Sequence, residues 1–147
     1  MKSLARGQLL FVYGTLRRDS PHPLAQRLAS GCDYLGEASL PGKLYWTTGD
    51  FPALHAGEGS ERVVGDLYQV GDSQLLDVLD LYEGNLYERR RLPVSSHVTG
   101  LAAAWVYLYL GPVDPSRQID SGDYIAASRS RLTLHASAAV AGPQDYS

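Results

Sequence analysis

The sequence predicts an α+β fold in which short helices flank a small mixed, barrel-like sheet. Three observations predict it. Short apolar stretches recur between turn signals; two segments carry a helical period; and Leu101 to Leu110 is apolar at both odd and even positions, as in a central or barrel strand. The 147 residues are enough for one domain that buries roughly 68–70% of its unfolded surface. No linker or internal repeat divides them. Residues 1–130 are predicted as the domain, and 131–147, rich in alanine and small polar residues, as a loosely attached tail.

Taken in order, Leu9-Leu10-Phe11-Val12-Tyr13 is a continuous apolar run halted at Gly14, the pattern of a buried strand followed by a turn. Gly14 permits a backbone conformation or a close approach that a side chain would block. Successive amides in such a turn can form an anion-binding concavity, and Thr15 adds a hydroxyl. Ser20 to Ser30 reads as a short capped helix, with Leu24 and Leu28 four apart and Gly31 after it. Cys32 to Leu40 is extended, Pro41-Gly42 signals a turn, and Lys43 to Trp46 forms a strand. Thr47 to Pro52 is a loop, Ala53-Leu54-His55 is extended, and Gly57 to Ser60 is flexible. Val63 to Val70 is a further strand. Tyr87 to Val94 is extended, with Pro93 favouring an edge or a bulge. Gly122-Asp123-Tyr124 is a turn leading into a short helix or strand.

The segment Ser73 to Arg89 organises the site. Leu75, Leu76, Val78, Leu79 and Tyr82 fall on one helical arc, and Asp77 and Asp80 fall off it. Asp72 or Ser73 caps the start, and Gly84 ends the helix in a left-handed conformation. Glu83 breaks two rules at once. It projects from the apolar stripe, and it places an anion in the last turn, where the helix dipole disfavours it by roughly 0.3–1 kcal/mol. Either burial raises its pKa towards that of a general acid or base near neutrality, or the helix frays at Tyr82 and the carboxylate points to water. The helix alone leaves both open.

Composition narrows the chemistry. With 44% hydrophobic and 20% charged residues the chain is an ordinary globular one, and a net charge of −3 argues against electrostatic nucleic-acid binding. Within a strand, Arg89-Arg90-Arg91 would point alternately to opposite sides, a poor phosphate stripe. The single cysteine, Cys32, excludes an intramolecular disulfide framework and fits a reducing compartment. The N-terminal apolar run is too short for a signal peptide, and no stretch approaches a membrane span, so the expectation is a cytoplasmic protein. His22, His55, His97 and His135 are scattered and fit surface or satisfied histidines better than metal ligands. There is no G-x-S-x-G elbow and no phosphate-binding glycine loop. What remains is a cofactor-free site made from one carboxylate and a polar backbone loop.

Y-G-T-L-R at Tyr13–Arg17 and L-D-x-x-E-G-x-x-Y-x-R at Leu79–Arg89, in this order, resemble the gamma-glutamylcyclotransferase-like family, including its AIG2-like and gamma-glutamylamine cyclotransferase members. The match takes in G-K-L-Y at Gly42–Tyr45, F-P-A-L at Phe51–Leu54, V-x-G-D-L-Y at Val63–Tyr68 and A-W-V-Y at Ala104–Tyr107. The resemblance implies a small mixed barrel with a cavity lined by Tyr13, Gly14, Thr15 and Leu16, and Glu83 as the catalytic acid/base. It implies a small-molecule γ-glutamyl substrate, converted to 5-oxoproline and a free amine without metal or cofactor. Tyr45, Tyr107 and Tyr124 fit core aromatics better than pocket residues, and Arg89 fits either a substrate carboxylate or a pairing with Glu88 or Asp80. The loops at Thr47–Asp50, Gly57–Glu61 and Pro112–Ser121 are expected to select the leaving amine. The alternative function is a catalytically silent protein that binds a small metabolite in the same cavity. Retention of Glu83 favours the enzyme, because a pure binding pocket gains little from an unpaired buried carboxylate. No surface pattern supports an interaction module.

Overall fold

The computed structural model describes residues 8–49, 51–57 and 59–130. The expected tail, 131–147, lies outside the described residues, as do Asp50 and Glu58. The chain runs β1 (Gln8–Val12), α1 (Pro23–Gly31), β2 (Asp33–Trp46), β3 (Pro52–Ala56), β4 (Arg62–Val70), α2 (Ser73–Glu83), β5 (Tyr87–Ser96), β6 (Gly100–Tyr109) and β7 (Gln118–Ile119). Single 3₁₀ turns cover Gly84–Leu86 and Pro115–Arg117, and residues 124–130 are helical.

The predicted α+β class and mixed, barrel-like sheet are both present. Strands pair in the order β2-β4-β1-β6-β5, and β5 returns to β2 through Ala38↔Ser96 and Ser39↔Ser95, closing the barrel. One pairing, β1 with β6, is parallel. All five barrel strands send apolar side chains into one core: Phe11, Ala38, Leu40, Val63, Leu67, Val94, Ala104 and Val106. Alternate residues face outward into a second core. There Leu10, Val12, Tyr68, Val70 and Tyr107 meet Leu28 of α1 and Leu75, Leu76 and Leu79 of α2. The uninterrupted apolar character of β1 and β6 therefore reflects burial on both faces.

Pro41-Gly42 is not a turn, as the sequence predicts, but lies inside the 14-residue β2. Residues up to Pro41 pair with β4, and those from Gly42 pair with β3. Proline lacks an amide to donate at this change of partner, and a Cβ on Gly42 would lie 2.8 Å from the His55 carbonyl oxygen. The dipeptide thus marks where the strand leaves the barrel. Pro93 sits where β5 is paired on one side only, since β5 reaches β2 at Ser95 and Ser96.

Gly122 has φ +69°, and a Cβ there would stand 2.0 Å from the Arg62 carbonyl oxygen. Gly36, at φ +108°, has open space around it. Gly122→Ala is expected to lower stability by about 3 kcal/mol and Gly36→Ala by about 1 kcal/mol, because only the first adds a backbone collision to conformational strain. Urea denaturation of both variants checks this ordering.

Candidate active site

The site forms where β1 ends. The Arg17 amide donates to the Gly14 carbonyl at 3.0 Å, closing a tight turn. That bond leaves the two intervening amides, Thr15 and Leu16, without a partner inside the turn. Gly14 is needed for close approach, since a Cβ would come 2.4 Å from Cγ of Pro52. Pro52 in turn accepts a hydrogen bond at 2.7 Å from the Tyr87 hydroxyl through its carbonyl. Arg17 anchors the far side of the turn. Its buried guanidinium pairs with Asp66 at 3.1 Å and Asp123 at 3.0 Å, while Asp66 also accepts from the Arg18 amide and the Tyr34 hydroxyl.

Glu83 is brought to this turn by α2. Asp72 caps the helix by accepting from the Gln74 amide at 2.9 Å, and Leu75, Leu76 and Leu79 bury its apolar face. Gly84 ends it at φ +75°. Tyr82 does not enter the core with Leu75, Leu76 and Leu79 of its arc. It stands at the cavity rim with its hydroxyl 2.9 Å from Thr15 Oγ1 and its ring edge against His22. His22 is a satisfied histidine, because its Nδ1 caps α1 by accepting from the Leu24 amide.

A cavity of about 250 Å³ opens between these elements, lined by Tyr13, Gly14, Thr15 and Leu16, by Phe51 and Pro52, and by Tyr82, Glu83, Leu86, Tyr87 and Tyr107. All five residues that the family resemblance singled out border it together. The sequence reading did not identify Phe51, Pro52, Tyr82, Leu86 and Tyr87 as lining residues, although Phe51-Pro52 and Tyr87 sit inside its quoted motifs. Tyr107 lines the cavity through β6, whereas Tyr45 packs edge-on to His55 and Tyr124 packs on Trp46. Among the described residues, none of the loops at 47–50, 57–61 and 112–121 borders the cavity, against the expectation that they select the leaving amine, although Phe51, just after the first, does.

The electrostatics separate two neighbouring carboxylates. Asp80 receives two hydrogen bonds from Arg89, at 2.8 and 3.0 Å, and one from the Tyr107 hydroxyl at 2.6 Å. These contacts, with the Arg89 bonds foremost, hold its pKa below the usual carboxylate range. Arg89 is therefore engaged by Asp80. Glu83 has no hydrogen-bond or ion-pair partner among the described residues. Burial, reinforced by the charge of Asp80, pushes its pKa up to about 7. The same burial raises Tyr13, whose hydroxyl donates to the Tyr107 carbonyl at 2.6 Å. Cys32 is half-buried with its thiol pushed up by burial, the opposite of an activated thiolate. Among the described residues, no group of His, Cys, Asp and Glu side chains is gathered that could hold a metal, and no helix is long and apolar enough to cross a membrane.

A small closed barrel whose cavity is bordered by a backbone turn and by a carboxylate unpaired among the described residues is the arrangement the family resemblance implies. The chain belongs to the gamma-glutamyl cyclotransferase, AIG2-like family, whose model matches residues 10–126. It is 30% identical over 118 residues to the gamma-glutamylcyclotransferase family protein YtfP of Escherichia coli K12, covering 79% of this chain and 95% of that protein. The fold superposes on an AIG2-like protein from Mus musculus with TM-score 0.62 and 25% identity, covering 72% of this chain and 80% of that one. It also superposes on YkqA from Bacillus subtilis with TM-score 0.69 and 24% identity, covering 86% of this chain but 43% of that longer one.

The raised Glu83 pKa has a consequence for stability. Between the unfolded value of 4.5 and the folded value of about 7, the native state binds more protons than the unfolded state, so this group's contribution falls as pH rises. Because the side chain keeps some solvent access at the cavity, the loss is about 1–2 kcal/mol rather than the full value of the shift. Glu83→Gln is therefore expected to gain about 1–2 kcal/mol on the wild type between pH 5 and pH 8. Urea denaturation at both pH values checks the sign.

Proposed function

We propose that the protein is a cofactor-free cyclotransferase that converts a γ-glutamyl amine or amide to 5-oxoproline and the free amine, with Glu83 as general acid/base. The observation that carries this reading is a carboxylate that borders a cavity, has no partner among the described residues and is pushed by burial to a pKa of about 7. In the reaction the substrate's α-amino nitrogen attacks its own γ-carbonyl carbon. Glu83 accepts the proton that this nitrogen sheds and delivers it to the departing nitrogen as the original amide bond breaks. The Thr15 and Leu16 amides offer donors to the substrate carboxylate or the developing oxyanion. Because the nucleophile is tethered to its target, the cavity's main task is to fold the substrate into an attack geometry. The small-molecule substrate and a cytoplasmic site of action belong to the same proposal.

Asp80 acts as a positioning residue, since it engages Arg89 and Tyr107 and raises the pKa of its neighbour without facing the cavity.

Release of 5-oxoproline from a panel of γ-glutamyl amides tests the reading. Glu83→Gln is expected to lose 10²–10⁴-fold in kcat, about the worth of a general base. Equal activity in the two proteins overturns the role of Glu83, and ligand binding without turnover moves the protein to metabolite binding. Asp80→Asn is expected to shift the acid limb of the kcat/KM profile to lower pH, because it removes a negative charge beside Glu83 and releases the charge of Arg89. A pH titration of the variant reads this directly.

A further inference from the structure

On the outer face of β5 and β6 the register sets Arg91 opposite Trp105 and Arg89 opposite Tyr107, so these four side chains share one side of the sheet. The half-buried Trp105 ring attracts both cations. The guanidinium carbon of Arg89 stands 4.3 Å from its centroid and that of Arg91 stands 5.2 Å away. The indole is itself anchored, because its Nε1 donates to Gln8 Oε1 at 2.6 Å, at the start of β1. Arg89 then delivers two hydrogen bonds to Asp80, one to each carboxylate oxygen. Such a fork holds only while the guanidinium plane is kept in line with the carboxylate, and stacking on a ring keeps it there. Three contacts thus lead from Gln8 across the outside of the barrel to the carboxylate three residues before Glu83.

We infer that Trp105 is a positioning residue: it holds the Arg89 fork on Asp80 and thereby fixes how much of the Asp80 charge reaches Glu83. This rests on the cyclotransferase reading and adds to it the control of its acid/base. The titratable groups around Glu83 are Asp80 and Tyr82 on its own helix, Tyr13 from β1, Tyr87 from β5 and Tyr107 from β6. Burial pushes all four tyrosines up, so they are neutral near pH 7 and Asp80 is the charge to which Glu83 responds. Asp80 faces Arg89 and the Tyr107 hydroxyl, and Arg89 also feels Asp77. Without the stack, Arg89 is free to leave the fork. Asp80 then stays ionised but less neutralised, and Glu83 keeps its proton to higher pH. The direction is opposite to that expected on removing the Asp80 charge.

Two titrations of the full-length protein test this: the acid limb of kcat/KM for 5-oxoproline release, and the NMR chemical shift of the Glu83 carboxyl carbon. Trp105→Leu and Arg89→Leu are expected to move both midpoints up by about 0.5–1 pH unit. Trp105→Phe keeps a ring face for Arg89 and is expected to restore most of the wild-type position. The ionisations of the substrate are common to all variants, and partial unfolding lowers the amount of activity without moving either midpoint. Unmoved midpoints in Trp105→Leu, or a downward move in Arg89→Leu, overturn the inference and leave the cyclotransferase reading standing. If the wild type releases no 5-oxoproline from any γ-glutamyl amide, that reading falls and the place of Trp105 in the reaction falls with it.

Discussion

The structure depends on burial of β1 on both faces. Phe11 points into the closed barrel, and Leu10 and Val12 point into the layer made by α1 and α2. A strand so enclosed cannot slip by one residue without exchanging its two sets of side chains between differently shaped cores. Gly65 tightens the constraint: a Cβ there would approach the Val12 carbonyl oxygen to 2.3 Å and the Phe11 ring to 2.7 Å. With the register held, the end of β1 is held too, and the turn that follows presents its amides at a fixed place. The Arg17 network then braces that turn against β4 and against the segment at Asp123.

The second core performs the matching task for Glu83. Leu75, Leu76 and Leu79 seat α2 on the outer barrel face, which sets where its last turn lies. The Tyr82 hydroxyl and Thr15 link that turn to the loop after β1, so carboxylate and amide donors are held across one cavity by contacts on both sides. Two carboxylates three residues apart then acquire opposite characters. Asp80 is kept ionised by Arg89 and Tyr107, and Glu83 has nothing to pair with among the described residues. This division of environments puts one of them in the range useful for proton transfer near neutral pH.

Much of the fold was legible because local pattern and tertiary context agree. The helix at Ser73–Glu83, a cap at Asp72 or Ser73, its Gly84 ending and a two-faced strand near Leu101–Leu110 follow from periodicity and capping chemistry alone, and the structure selects Asp72. The misreading at Pro41-Gly42 has a clear cause. The same two residues that break a strand in isolation are tolerated where a strand changes partners, and a change of partner is a long-range event. Tyr82 shows the same limit at one residue: it lies on the apolar arc, but the arc outruns the surface that α2 covers, so its ring remains at the rim.

The sequence by itself determined the α+β class and the elements that carry the site, because these rest on spacing, capping and short-range steric rules, while the five marked residues came from the family resemblance of its motifs. Glu83 was identifiable as an anomaly, yet whether it would find a partner was not, since pairing depends on which groups other strands bring near. Only the tertiary structure decided that Arg89 goes to Asp80, that Phe51, Pro52, Leu86 and Tyr87 complete the cavity wall, and that the described residues of the loops at 57–61 and 112–121 do not border it. The physical reason is closure. When β5 meets β2, segments far apart in the chain are forced side by side, and no local period records which of them will meet.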